Sequence, residues 1–293
     1  MEKITIVKNS VEIELEDIKA KISFKQLLDI LQTRAMPEPD SCNFIYPHGV
    51  RKVWTRDAAK IFLLEIPWSV HRLSWISDSS PVPYGPDAEY VDRVLACPWI
   101  LLFVAFVVDG HGRLVLDRRK NEIFFATKGP VTDLDDTDYL CYPTLLNCSK
   151  FREHEQDTKP LSWLCTQSLP VGPIRRIRKN DRRVTETFKA LRSLIFEAPG
   201  NYSSEHHEET SWFTAQKQDL QQLRDVANWE RESEKNPAFI LKVPFRKVNL
   251  SCTQIADRLF NIMSVHSSPL SNANELIRAI FNRTSEADLI FDS

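Results

Sequence analysis

Glycine is scarce in this chain, with 7 among 293 residues, well under the average usage of about 7%. Neither GxGxxG nor GxxxxGK(S/T) occurs, and without such glycines a backbone loop cannot approach and cradle a phosphate group. Kinase, nucleotide-triphosphatase and dinucleotide-binding classes are excluded on that ground. The six cysteines, Cys42, Cys97, Cys141, Cys148, Cys165 and Cys252, contain no CxxC and no Cys/His spacing that zinc sites use. No metal and no cofactor is therefore expected, and in a reducing compartment the cysteines are expected as thiols. Long apolar runs are missing too. The longest, Trp99 to Val108, is about half of the ~20 residues a helix needs to cross a bilayer, so no membrane contact is expected. Charge of either sign is not in excess: 38 Lys and Arg against 40 Asp and Glu leave a formal charge of -2. No overall field draws the chain to nucleic acid or to an anionic lipid surface. The opening MEKITIVKNS lacks the apolar stretch of a secretory signal, so a cytoplasmic location is expected. The sequons at Asn147, Asn201, Asn249 and Asn282 then carry no meaning.

What is present reads as an α+β protein: an antiparallel β-meander flanked by helices. Ile4 and Ile6, then Val11, Ile13 and Leu15, alternate with polar residues around Lys8-Asn9-Ser10 and predict a hairpin. Ser23 with Gln26 forms a capping-box pattern ahead of Phe24, Leu27, Leu28 and Leu31, predicting a helix. Two segments, VWTRDAAKIFLLEI from Val53 and SVHRLSWI to Ile76, are broken by Pro67 and read as paired strands. The Pro/Ser stretch Ser77 to Pro86 marks an internal boundary or an exposed connection. Trp99 to Val108 is apolar at every position, which predicts a strand buried on both faces and covered by helices on both sides, or on one side with a second sheet on the other. Short strands at Arg113 to Leu116 and Glu122 to Thr127 follow a turn at Asp109 to Gly112. Val184, Phe188, Leu191 and Ile195 share one helical face. Further helices are expected at Gln218 to Glu234, Cys252 to Ser264 and Asn274 to Phe281, with a strand at Phe239 to Pro244. The division implied is 1–76 (hairpin, helix and first strands), 77–201 (core) and 202–293 (a mainly helical extension that either completes the same core or docks a partner through Phe245).

Four clusters could carry chemistry. Asp133, Asp135, Asp136 and Asp138 have oxygen ligands for a divalent cation but lack the order and distal Glu of a calcium loop, which favours a solvated turn. Arg175, Arg176, Arg178, Lys179, Arg182 and Arg183 form the densest basic stretch. It reads as an exposed approach to a helix or, functionally, as a binding surface for an acidic protein partner centred on Arg175, Arg176 and Arg178. A nucleic-acid role would rest on that stretch with Trp68 and Trp75, and ranks last because no aromatic residues interleave with the charges. His206-His207 followed by Glu208 and Glu209 lacks the spacing of a metal site and reads as a polar loop.

The stretch from Tyr139 to Asn201 is the most informative. LCYPTLLNCSKF is followed by a polar excursion, then LSWLCTQ, then an amphipathic helix ending IFEAPGN. The order β-meander, Pro-x-x-x-Asn, loop, apolar Cys, helix and Pro-containing turn resembles the ubiquitin-conjugating-enzyme fold, in particular the bacterial group called PRTRC system protein B, or prokaryotic ubiquitin-conjugating family D. The resemblance spans roughly Trp54 to Asn201. It matches Trp54 to Ile66 to the family's Trp-rich segment, Pro98 to Val108 to its apolar strand, and Tyr142, Pro143 and Asn147 to its Tyr-Pro-Asn element. Cys165 matches its cysteine, and Phe188 to Asn201 its helix. The loop from Asn147 to Cys165 is longer than the family's, Thr166 stands where the family has glycine, and Cys148 is a competing thiol.

The resemblance implies a carrier that takes a small ubiquitin-like protein from an activating-enzyme-like partner as a thioester, in a bacterial or mobile-element system. Cys165 would be the nucleophile and Asn147 the amide that steadies the oxyanion. Beside that stands a structural reading, with Cys165 a buried thiol and Asn147 a turn residue. The protein would then be a non-catalytic α+β interaction or scaffold protein of a plasmid or phage complex.

Overall fold

The computed structural model of the protein describes residues 3–7, 10–15, 18–23, 46–77, 79–82, 87–109, 112–148, 160–166, 169–197 and 220–267. The chain divides into two compact units, one of Met1–Pro39, Gly110–Gly112 and Ser264–Ser293, the other of Asp40–Asp109 and Arg113–Met263. The first holds an antiparallel three-stranded sheet, β1 (Lys3–Val7), β2 (Ser10–Leu15) and β3 (Ile18–Ser23), in that order. The predicted hairpin is β1 and β2. Ser23, expected as a helix N-cap, is instead the last residue of β3, opposite Ser10. The alternation Ile18, Ala20, Ile22 has period two, which favours a strand, and the register sets Lys19 opposite Glu14 and Lys21 opposite Glu12. The helix predicted beyond Ser23 lies outside the described residues.

The second unit is built on a four-stranded antiparallel sheet, in the order β4 (Val50–Arg56), β5 (Ala59–Ile66), β8 (Trp99–Val108), β9 (Leu114–Ala126). The protein is thus α+β with antiparallel sheets. The segment from Val53 folds into β4 and β5 by itself, turning at Asp57, whose φ is 50°. The segment to Ile76 is β6 (Ser69–Ile76), which pairs not with β5 but with β7 (Tyr90–Cys97). The register runs on unbroken from Ile66 opposite Ile100 to Ser69 opposite Cys97, which sets Pro67 and Trp68 against Trp99 and Pro98. Proline has no N–H to give a ladder. One long hairpin is therefore divided at its two prolines into a sheet portion and a ribbon portion. The Ser77 to Pro86 connection joins β6 to β7.

Helices cover both faces of the four-stranded sheet. On one face Ile61, Leu63, Leu101, Phe103 and Phe124 pack with Ile255, Leu259 and Phe260 of α4 (Cys252–Ser267). On the other, Phe62 and Phe106 meet the ring of Phe188, with centroids 5.9 and 6.3 Å apart. Phe188 belongs to α2 (Asn180–Phe196), and the helical face predicted from Val184, Phe188, Leu191 and Ile195 is buried as a whole. A short α1 (Val171–Arg175) precedes α2, and α3 (Val226–Lys235) follows a 3-10 turn at Gln221–Leu223.

Two further expectations are corrected. Phe239 to Pro244 is not a strand, because Pro237–Lys242 winds as a 3-10 helix. Asn236 starts it, its side chain accepting a bond from the Ala238 amide at 3.2 Å, with Pro237 at the first position, an arrangement that favours helical entry over extension. The strands predicted at Arg113 and Glu122 are one strand, β9, whose register shifts where Val104 faces Asn121 and Phe106 faces Leu116. Asp117 to Lys120 bulge out between them. Phe245 lies in the core against Phe125, centroids 5.3 Å apart. The helix expected at Asn274 to Phe281 and the pair His206-His207 lie outside the described residues.

Candidate functional site

The bulge in β9 is the seat of the Cys165 segment. Asn121, at its end, reads both backbone groups of Leu164: its Oδ1 accepts from the Leu164 N–H at 2.9 Å and its Nδ2 donates to the Leu164 carbonyl at 3.3 Å. Inside the bulge, Arg118 donates from its guanidinium to the Thr166 carbonyl, and the Thr166 hydroxyl donates to the Arg118 carbonyl at 2.9 Å. On the other side, Leu164 makes an antiparallel bridge with Cys148, and the Cys165 N–H donates to the Asn147 carbonyl at 2.9 Å. Residues 164 to 166 are thus held from both flanks by side chains and backbone.

The structure brings Asn147 and Cys165 together, but through their backbones. The Asn147 side-chain amide donates to the carbonyl of Leu194 at 2.6 Å, and its Oδ1 accepts from the Cys148 thiol at 3.7 Å. Leu194 lies in the last turn of α2, where carbonyls have no partner within the helix, so Asn147 acts as a side-chain cap for that end. Cys165 is 4% exposed and Asn147 is 7% exposed. Cys148 is buried as well, and none of the described cysteines forms a disulfide.

Arg175 ends α1, Arg176 and Arg178 lie in the link to α2, and all three are exposed. Arg183, which reads with them in the sequence, departs from them. Its guanidinium is buried and donates to the carbonyls of Leu114 at 3.1 Å, Arg175 at 3.3 Å and Ile177. The Leu114 amide in turn donates to Asn180 Oδ1 at 2.8 Å, so the first turn of α2 grips both backbone groups at the start of β9. In the acidic cluster, Asp133 Oδ1 and Asp136 Oδ1 accept from the amides two residues on, Asp135 and Asp138, the solvated-turn geometry. Among the described residues no group of three or more His, Cys, Asp or Glu could hold a metal, and no helix is long and apolar enough to cross a membrane. Trp75 is buried against Trp229, centroids 6.0 Å apart, and is not available to stack on a base.

Sequence reasoning missed Glu122. It lies on the α4 face of β9, in step with Phe124 and Ala126, fully buried. Burial pushes its carboxyl up to about 8, while the nearby Leu161 and Ser162 amides and Arg258 pull the other way; among the described residues neither carboxyl oxygen closes a hydrogen bond of good geometry. The alternation of β9 is the signal that could have found it, since a carboxylate at a core-facing position departs from the pattern. Arg183 was legible in the same way, being one turn before Thr187 and two before Leu191 on the buried stripe of α2.

No family model matches the chain, and no curated protein or solved structure matches it either.

Proposed function

We propose that this protein is a non-catalytic interaction protein, built on an α+β core of the kind ubiquitin-conjugating enzymes use, in which Cys165 and Asn147 serve the fold. The observation that carries this reading is the engagement of the Asn147 amide with the Leu194 carbonyl beside a thiol that is 4% exposed. A thioester carrier needs a thiolate that a carbonyl carbon can reach and an amide donor left free for the oxyanion. Here the donor is committed to capping α2. The thiol lies in a segment that Asn121, Arg118 and Cys148 hold down. Loading Cys165 would require residues 164 to 166 to leave all three at once.

Support for kinship with the conjugating-enzyme group comes from the order of elements: an antiparallel sheet, Pro143 and Asn147, the Cys165 segment, then α2. The working surface is then the exposed Arg176 and Arg178 with Arg175, facing an acidic protein partner. Alkylation of the full-length protein by iodoacetamide, read by mass spectrometry, tests this. Cys165 is expected to react in denaturant and to stay unmodified in the native state over the same time. Arg176→Glu with Arg178→Glu is expected to abolish salt-sensitive binding to a polyglutamate peptide. Rapid native alkylation of Cys165, with formation of a thiol-labile adduct when a ubiquitin-like protein, its activating enzyme and ATP are supplied, overturns the reading in favour of a carrier.

A further inference from the structure

A cavity of about 280 Å3 lies between the start of β9, α1 and α2, close to the lower limit of size for small-ligand sites. Its walls are of two kinds. Val115, Leu116, Leu169, Val171 and Ile174 are apolar, and the rest of the lining is three arginines, Arg113, Arg175 and Arg183, with one acidic residue, Asp109. Asp109 is already engaged. It holds Arg113 at 2.7 Å as an ion pair and accepts from the Arg113 backbone amide at 2.9 Å. Arg183 is 3% exposed, its bonds go to carbonyl oxygens alone, and its Nε has no partner among the described residues. Arg175 makes no side-chain hydrogen bond or ion pair among the described residues. Burial, and then the neighbouring Arg113 charge, work against the protonated form of Arg183, and Asp109 offsets part of that. The cavity therefore carries about two positive charges that the described residues leave unbalanced, beside a wall with no use for polar groups. A buried cation held by neutral acceptors is the arrangement that an incoming anion stabilises most.

We infer that this cavity is a binding site for a small amphipathic anion, a carboxylate or phosphate monoester whose acid group meets Arg175 and Arg183 and whose short apolar body lies on Val115, Leu116, Leu169 and Ile174. The site shares Arg175 with the docking surface proposed above, but Arg176 and Arg178 of that surface do not line it. It is separate from Cys165.

Isothermal titration of the full-length protein with hexanoate, hexyl phosphate, inorganic phosphate and neutral hexanamide tests the inference and decides between the two acid groups. At least one of the two amphipathic anions is expected to bind once per chain with Kd below about 1 mM, more tightly than inorganic phosphate, with hexanamide at least about tenfold weaker because it forgoes the charge-assisted bonds. Arg175→Gln, at an exposed position, is expected to weaken that binding by about tenfold or more without lowering Tm. Val115→Trp, which fills the cavity, is expected to abolish it. Arg176→Glu with Arg178→Glu is expected to leave it within about twofold, since neither residue lines the cavity. Absence of binding by both amphipathic anions, or binding that survives Val115→Trp and Arg175→Gln, overturns the inference. Arg183→Gln alone would not serve, because the variant also gives up bonds that tie α2 to β9, to α1 and to Ile177 in the link between the helices.

Discussion

Single residues decide most of the chemistry here, and two of them set how stability changes with pH. Glu122, at about 8 in the fold against 4.5 when exposed, keeps a proton that the unfolded chain has released. Its contribution is complete below 4.5, declines as pH rises from 4.5 to 8, and is gone above. His71 works in the opposite sense. It stacks on Phe196 with centroids 3.7 Å apart, and burial and then Arg192 hold it near 4 against 6.5. The unfolded chain takes up a proton that the fold refuses, so stability is complete above 6.5 and is lost as pH falls toward 4. Between 6.5 and 8 the Glu122 slope stands without His71. Urea denaturation should show stability falling by on the order of 1–2 kcal/mol across that window, and Glu122→Gln should flatten it. A rising or level curve in the wild-type protein would show that Glu122 ionises normally. Asn147 supplies a second expectation at this scale. Asn147→Ala leaves the Leu194 carbonyl buried without its donor, and should cost about 1–3 kcal/mol in urea. A catalytic Asn147 without a capping role would leave stability unchanged.

At the scale of elements, the ribbon of β6 and β7 is the portion most in need of a partner, since a two-stranded hairpin is marginal by itself. Helix α3 supplies it. Trp229 Nε1 donates to the Ala96 carbonyl at 2.9 Å, Ser233 Oγ accepts from the Ala96 amide at 2.9 Å, and Glu230 accepts from the Val94 amide at 2.8 Å and pairs with Arg93 at 2.9 Å. Side chains from a helix thereby satisfy the backbone groups of an outer strand that would otherwise be open to pairing with another chain. Ser233→Ala should cost about 1–3 kcal/mol by stranding the buried Ala96 amide. Hydrogen exchange should show faster exchange in Tyr90–Cys97 than in β5 and β8. Equal protection of all these strands in the variant would mean that α3 does not hold the ribbon. The bulge in β9 acts in the same spirit at the other side of the sheet: it presents Arg118 and Asn121 to the backbone of Leu164 and Thr166, and so converts a strand defect into the clamp on Cys165.

For the second unit as a whole, the sheet has a helix on each face and hence two hydrophobic layers separated by the strands. Phe188→Ala opens a hole under α2 and should cost about 3–5 kcal/mol; Leu259→Ala does so under α4 and should cost about 2–5 kcal/mol. Because the two sites lie on opposite faces of the sheet with no shared ring contact, the double variant should show the sum of the two losses within about 0.5 kcal/mol. A large departure in calorimetry or denaturation would mean that the layers communicate through the strands.

The amino-acid order by itself determined the elements whose signal is local and repetitive. The unbroken apolar run of Trp99–Val108 required burial on two faces, and the spacing of Val184, Phe188, Leu191 and Ile195 required a helix with one buried side. The pairing of β6 with β7 rather than β5, the union of two short strands into β9, and the 3-10 turn at Pro237–Lys242 needed the tertiary structure. Each depends on which backbone groups find partners across long stretches of chain. The same holds for the candidate residues. Cys165 and Asn147 have residue types that suit thioester chemistry, and their order in the chain is compatible with it. Whether such side chains can act depends on exposure and on which donors remain free, and the C-terminal turn of α2 and the bulge of β9 decide both. Arg183 looks like one more charge in a basic stretch until the helix turns it inward, where its guanidinium is buried and donates to the carbonyls of Leu114, Arg175 and Ile177.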